Sequence, residues 1–452
     1  MHPIVRALYG AAGVVARVAA VVTPAGGGKV RQSLSARRGV RARLRAWAAA
    51  HRDPTRPLLW MHAPSVGEGL QARPVLELAR QERPDLQVAY THYSPSAAAY
   101  AAGLVRDGLA DVADYLPFDT GGDADALLAA LAPQALVFSK LDVWPVLAAR
   151  ARRRGVPIGL VSATLAASSA RRGRLAGALL RDAYTALDAV GAIDAADAER
   201  LVEVGVRPDR VRVTGDTRYD QVWRRARAVA ADDPRLVPLG GPRQGPPGAA
   251  RRFTVVAGST WPADERALAE AWPLVRREDP RARLVLAPHE PTLAHLAAVE
   301  QWAATERLWC VRLSAMRADG ADASADVVLV DRVGVLGELY AAGDAAFVGG
   351  GFHAAGLHSV LEPAAFGVPV CFGPRHAASR DARLLLGAGG GVSAPTGRAL
   401  GELLRRWRVS DALRTHAGDA ARGVVEAGLG ADARAWALVA ELLTEKAPAN
   451  EP

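Results

Sequence analysis

The stretch DAAFVGGGFHAAGLHSVLEPAAFGVPVCFGP, Asp344 to Pro374, holds two apolar runs with a glycine triplet between them. Ala345–Val348 predicts a buried strand. A short loop with His353 and His358 follows the glycines, a helix is expected near Val360–Phe366, and Val368–Phe372 predicts a second strand. Glycines where a strand hands over to a helix let backbone N–H groups come close to a ligand, and the positive end of the helix favours an anion. Glu362, in the first turn of that helix, would repel a phosphate. A carboxylate there suits a ribose hydroxyl pair better. The stretch therefore predicts a nucleotide site.

The same alternation extends in both directions. From Leu58 the runs LLWMHAP, QVAYTHYSPS, Asp114–Pro117, ALVFSK, IGLVSAT, AVGAID and VRVTGD read as strands separated by helical segments. FTVVAGST, RLVLAPHEP, LWCVRL and VVLVD restart the pattern after Pro234–Arg251, a Gly/Pro-rich stretch that reads as a linker. Repeated βα units imply parallel, doubly wound sheets. The expected organisation is an N-terminal anchor and basic segment over 1–50, a Rossmann-like domain over 51–233, a linker over 234–251, and a second Rossmann-like domain over 252–452 whose last helices cross back. Such a chain is α/β, with two doubly wound domains facing across a cleft. Ligands in these sheets bind outside the carboxyl ends of the strands.

Charge is unevenly placed. Residues 1–56 hold eleven Lys/Arg against Asp53 alone, net +10, while the whole chain of 452 residues is +9. The basic block adjoins the apolar segment Ile4–Val22 and lacks aromatic platforms, which points to an anionic membrane surface and away from nucleic acid. Arg6 and Arg17 share one face of that segment. Val5, Leu8, Ala12, Val15, Ala19 and Val22 share the other, as in a helix lying in the membrane interface; the alternative is a packing helix of the first domain. Two cysteines, Cys310 and Cys371, supply neither a disulfide framework nor a Cys-based zinc site.

Polar clusters fall at the strand ends. Gly67-Glu68-Gly69 sets a carboxylate on a helix start, either as a general base for an attacking hydroxyl or as a helix-dipole carboxylate; the entropy cost of two flanking glycines favours the base. Lys140 is one of three lysines in an arginine-rich chain. Two residues before Asp142, it reads as a compact functional charge or as an ordinary ion pair. Asp216, Arg218 and Asp220 form either a functional group or a charged turn. Ser259 and Thr260 offer hydroxyls and a helix start to a phosphate, or plain capping. His289-Glu290 could hold a base, a phosphate or nothing. His353, His358 and His376 are not read as a metal site, since no HExxH occurs. No Walker loop or GxSxG elbow is present.

The blocks HAPSVGEGLQARPVL, THYSPS, DYLPFDT, VFSKLDVWP, VTGDTRYDQV, VAGSTWPADE, LAPHEPT, FVGGGFHAAGLHSVLEP and FGVPVCFGP occur in this order. With them the chain resembles the lipopolysaccharide Kdo transferases, a GT-B glycosyltransferase family that moves 3-deoxy-D-manno-octulosonic acid (Kdo) from CMP-Kdo to a lipid A precursor. The resemblance implies that Glu68 is the catalytic base and that Asp142 and Arg218 stabilise the transition state. It implies that the donor is held by Ser259, Thr260, Pro288, His289, Glu290, Val333, Gly334, Val335, His358, Ser359, Val360, Leu361 and Glu362. It further implies inverting transfer with neither metal nor cofactor, at the cytoplasmic face of a bacterial inner membrane. Many members carry arginine at the place of His289, Met-Gly-Glu at Val333-Gly334-Val335, Glu-Thr-Glu at Lys140-Leu141-Asp142 and lysine at Arg218. Two other outcomes remain open from the residues: a different GT-B nucleotide-sugar enzyme, such as a hexosyltransferase or epimerase, or an inactive membrane-associated scaffold of this fold.

Overall fold

The computed structural model describes residues 3–22, 29–230, 232–243, 252–317 and 322–444. The chain divides into two compact units, Met1–Gln221 with Leu429–Pro452, and Val222–Gly428.

The first unit is built on β1 (Leu58–His62), β2 (Gln87–His92), β3 (Val112–Tyr115), β4 (Ala135–Ser139), β5 (Ile158–Ala163), β6 (Ala189–Ala192) and β7 (Val211–Val213). All are parallel, in the order β3-β2-β1-β4-β5-β6-β7. β1, β2, β4 and β5 are buried throughout, as expected of parallel strands covered by helices on both faces. The two-residue period sorts their side chains: Leu58, Trp60, Leu136 and Phe138 enter one core, Leu59, Met61, Val88, Tyr90 and Val137 the other. The helix Ala431–Thr444 closes the second of these cores with Trp436, Leu438 and Val439. Asp220 fastens its start by accepting the N–H groups of Gly430 (2.7 Å) and Asp432 (3.0 Å). Asp220 thus caps this helix.

The second unit holds β8 (Thr254–Thr260), β9 (Arg283–Pro288), β10 (Cys310–Arg312), β11 (Val327–Leu329), β12 (Ala345–Val348), β13 (Val370–Phe372) and β14 (Gly391–Ser393). These too are parallel, ordered β10-β11-β9-β8-β12-β13-β14. β12 covers the residues expected of it, and the following helix spans Leu361–Ala365. Leu236 and Leu239, inside the stretch expected as a linker, are buried with Val256, Val285 and Ala346 of this unit's core. Residues 244–251 lie outside the described residues.

Each sheet reverses its strand order once, between β1 and β4 in the first unit and between β8 and β12 in the second. At such switch points the connecting loops diverge to opposite faces and leave a crevice at the carboxyl ends of the strands.

The N-terminal helix Pro3–Val22 packs on the first unit. Tyr9 donates to Asp119 (3.0 Å), Arg17 pairs with Asp123 (3.5 Å), and the carbonyl of buried Ala20 accepts from Arg38 (2.6 Å). Arg17 therefore faces a protein carboxylate, and Val14, Val15 and Val18 face outward. Among the described residues no helix is long and apolar enough to cross a membrane. Much of the basic block is engaged within the fold. Arg37 is buried, stacks 3.7 Å from the Tyr93 ring centre and donates to the Tyr93 carbonyl, while Arg43 grips Asp114 and Arg41 pairs with Asp123.

Candidate active site

At the switch point of the first unit, β1 runs into Ser65, which caps the helix Val66–Glu82 by accepting the Gly67 N–H at 3.2 Å. Glu68 stands in the first turn of that helix. Across the switch point β4 ends at Ser139, whose hydroxyl donates to the Glu68 carbonyl (3.0 Å). The next residue, Lys140, places its ammonium 2.9 Å from Glu68 Oε1, and the Ser65 hydroxyl donates to Oε2. Burial pushes the Glu68 carboxyl up, but the Ser65 hydroxyl and the Lys140 ammonium outweigh it and hold the group below the ordinary glutamate range. The result is a largely buried carboxylate kept ionised at a strand end. Lys140 pairs with Glu68, and Asp142 has a different partner. One flanking glycine has a packing cause: a Cβ on Gly69 would stand 2.5 Å from the Tyr100 ring and 2.9 Å from the Tyr90 hydroxyl. The glycine-entropy argument for Glu68 as base therefore rests on Gly67 alone.

Asp142 is bound by Arg171, which also donates to the Leu141 carbonyl (3.1 Å). Asp216 is buried, and Arg218 meets it in bidentate fashion at 2.7–3.2 Å. Burial raises the Asp216 carboxyl, yet the guanidinium and the amide donors carry it below the usual aspartate value. Gln71 donates to Asp216 at 3.2 Å, and its carbonyl accepts the Thr217 hydroxyl. Gln71 lies three residues beyond Glu68 on the same helix, so the Asp216–Arg218 pair and the Glu68–Lys140 pair are tied to one helical face.

Behind Glu68 lies His62, at the end of β1 and fully buried. Its Nε2 accepts the Trp144 indole N–H at 2.9 Å, which places its own proton on Nδ1, facing Thr91 Oγ1 at 3.0 Å. Burial, assisted by His92, drives its pKa down to about 3. His62 escaped the sequence reading because it looks like the last residue of an apolar strand.

In the second unit the switch point joins the end of β8 to the glycines after β12. Trp261 is the hub. His353 stacks on it at 4.3 Å and His289 at 4.7 Å between ring centres, His358 stacks on His289 at 4.5 Å, and the indole N–H donates to His358 Nε2 at 3.2 Å. Burial and the neighbouring His289 lower the His358 pKa, so this ring is neutral and turns an Nδ1–H away from the indole. His353 and His358 thus form an aromatic wall.

The glycine triplet serves the chain itself. A Cβ on Gly349 would lie 2.3 Å from the Ser259 carbonyl, on Gly350 (φ +92°) 2.0 Å from that of Gly356, and on Gly351 2.4 Å from the Gly373 nitrogen. The Gly350 and Phe352 N–H groups point at the buried Asp264 carboxylate (2.8 and 3.0 Å), as does that of Trp261. These amides, expected to meet a ligand, are satisfied internally. Thr260 is likewise committed: it is buried and donates to Glu265 (2.8 Å), which bridges to His295. Ser259 stays partly open, in the left-handed region at φ +54°.

Pro288 is buried at the end of β9, and His289 and Glu290 after it are exposed. Val333 and Gly334 are exposed, Val335 is partly covered, and Ser359 is exposed beside buried Val360 and Leu361. One residue the sequence reading missed links these segments. Arg225 grips Glu338 at 2.7 and 2.9 Å, approaches Glu362 at 3.8 Å and donates to the Gly334 carbonyl at 3.4 Å. Burial raises the Glu362 carboxyl; Arg225 opposes this and Glu338 adds to it.

Residues 32–221 match the family described as 3-deoxy-D-manno-octulosonic-acid transferase (kdotransferase). The 3-deoxy-D-manno-octulosonic acid transferase of Bordetella pertussis is 33% identical over 383 residues, covering 80% of this chain and 84% of the relative. That of Chlamydia muridarum is 28% identical over 349 residues, 75% of each chain. Among solved structures, UDP-GlcNAc 2-epimerase from Neisseria meningitidis superposes with a TM-score of 0.58 at 13% identity, covering 86% of this chain and 100% of that one. A glycosyltransferase from Rickettsia africae gives 0.54 at 10%, with the same coverage. These two share the fold. From the curated relatives, the chain belongs to the 3-deoxy-D-manno-octulosonic acid transferase family of glycosyltransferases.

Proposed function

We propose that the protein transfers Kdo from CMP-Kdo to a hydroxyl of a lipid A precursor, by a single inverting displacement in which Glu68 is the general base. The observation that carries this reading is the ionised, largely buried Glu68 carboxylate at the β1/β4 switch point, held by Ser65 and Lys140. A base must be deprotonated before its substrate arrives and must stand where the reacting hydroxyl can reach it. A carboxylate acting as base on the acceptor hydroxyl implies direct attack of that hydroxyl on the anomeric carbon and inversion. Arg218 and Asp142 belong to the same strand-end rim and serve charge stabilisation around the reacting centre.

The donor reading uses the second unit. Ser359–Glu362 and the 333–335 loop, linked by Arg225, hold the CMP moiety, with Glu362 on the ribose. Ser259, His289, Glu290 and the neutral His358 contact sugar or phosphate. Leaving-group charge is met by cationic side chains and by N–H donors other than the three that Asp264 gathers, with no metal in the mechanism. The outward valines of the N-terminal helix and the exposed Arg31 and Arg45 suit an anionic membrane surface, such as the cytoplasmic face of an inner membrane carrying the acceptor.

Product analysis after incubation with CMP-Kdo and a lipid A precursor tests the reading. The expected result is a Kdo-bearing lipid and free CMP. A parallel thermal-shift series with CMP, UDP and GDP should show stabilisation by CMP above the others. A preference for UDP would favour a different nucleotide-sugar enzyme, and CMP binding without turnover would favour an inactive scaffold.

A further inference from the structure

Lys140 is unusual in three respects. It stands in the left-handed region at φ +72°, a conformation that costs a side-chain-bearing residue free energy and that glycine or asparagine would adopt more readily. Its N–H is fixed to the Val161 carbonyl at the sheet end (2.9 Å), so the side chain is aimed by the backbone. Its partner Glu68 is 14% exposed while Lys140 itself is 43% exposed, so the ammonium caps the carboxylate and keeps an open side towards solvent. An ammonium has three donors, and Glu68 Oε1 takes one of them.

Both Glu68 oxygens are occupied, Oε2 by the Ser65 hydroxyl and Oε1 by Lys140. Each oxygen keeps a second lone pair, but a carboxylate paired with an ammonium is a weaker base than one freed of it, so withdrawal of Lys140 as substrate binds strengthens Glu68. The sugar named by the family is a 2-ulosonic acid, whose carboxylate is bonded to the anomeric carbon itself. The hydroxyl that Glu68 deprotonates attacks that carbon, so the sugar carboxylate arrives beside the base.

From this geometry we infer that Lys140 is the subsite for the sugar carboxylate of the donor, and that by moving onto it the ammonium vacates Glu68 Oε1 for the acceptor hydroxyl. In the step that follows, the acceptor oxygen bonds to the anomeric carbon and its proton passes to Glu68. The bond from that carbon to the phosphate oxygen breaks, and its electron pair leaves with CMP. The inference rests on the proposed Kdo transfer with Glu68 as base.

The test compares kcat/KM for CMP-Kdo and for an analogue whose sugar carboxylate is a primary amide, in the wild type, Lys140→Met and Lys140→Arg. The wild type should favour the acid donor by about 30-fold, the scale of one charge-assisted hydrogen bond. In Lys140→Met that preference should shrink to within about 3-fold, through loss of activity on the acid donor, and Lys140→Arg should restore most of it. The acid limb of the pH profile should also move to higher pH in Lys140→Met, because Glu68 loses the cation that holds it ionised. Turnover by the wild type with its preference unchanged in Lys140→Met overturns this inference alone. No turnover of CMP-Kdo by the wild type overturns the functional reading and this inference with it.

Discussion

At the switch point of the first unit a largely buried carboxylate is ionised and a fully buried imidazole is neutral, and each makes a prediction. Glu68 is ionised, so the acid limb of the kcat/KM profile should fall below the ordinary glutamate range, as measured by initial rates in acidic buffers. His62 is neutral, with a pKa of about 3 against 6.5 for the free side chain. Between those values the unfolded chain binds a proton that the folded protein refuses, so stability should be fully present above about pH 6.5 and be lost as the pH falls towards 3. The window corresponds to about 5 kcal/mol at most, at 1.36 kcal/mol per pKa unit. His62→Gln keeps an acceptor for the Trp144 N–H and does not titrate; melting temperatures across this range should fall less steeply than in the wild type. An equal slope would show that His62 is not the group responsible. None of this was legible in the sequence, because the Trp144–His62 and Lys140–Glu68 contacts span 82 and 72 residues and depend on β1 lying next to β4.

The β12 strand was legible, since four apolar residues bounded by Asp and Gly leave little alternative. The use of the glycines after it was not. A glycine is equally suited to a ligand's approach and to a neighbouring carbonyl's, and here Ser259, Gly356 and Gly373 occupy the space. Asp264, which the pattern marks only as a first-turn acid, gathers three N–H groups from β8's end and the triplet. Asp264→Ala should therefore cost about 3 kcal/mol or more, seen as a lower denaturation midpoint, because one buried and two part-buried N–H donors lose a charged acceptor. A cost below about 1 kcal/mol would mean that the loop has another support. Arg225 was missed for a related reason: its helix, Arg218–Arg227, carries three other arginines, and only the packing separates the one that joins Glu338 to Glu362.

Over the whole chain, the alternation of apolar runs with helical segments predicted two doubly wound sheets, and two parallel seven-stranded sheets are found. The charge block was harder to interpret, since composition counts arginines without showing that Arg37, Arg41 and Arg43 are engaged within the first unit. Among the described side chains of the first helix, Val14, Val15 and Val18 point outward. Replacing Val14, Val15 and Val18 together by Asp should reduce flotation of the protein with anionic vesicles while leaving its melting temperature close to that of the wild type, because these side chains are 55%, 67% and 58% exposed. Undiminished flotation would place membrane contact elsewhere. The whole account depends on one carboxylate. The most direct measurement is single-turnover transfer from CMP-Kdo to a lipid A precursor by Glu68→Gln beside the wild type. The predicted result is a loss of about 10³-fold in rate with CMP still binding, the scale of a missing general base. Transfer by Glu68→Gln at a rate within a few-fold of the wild type would contradict it.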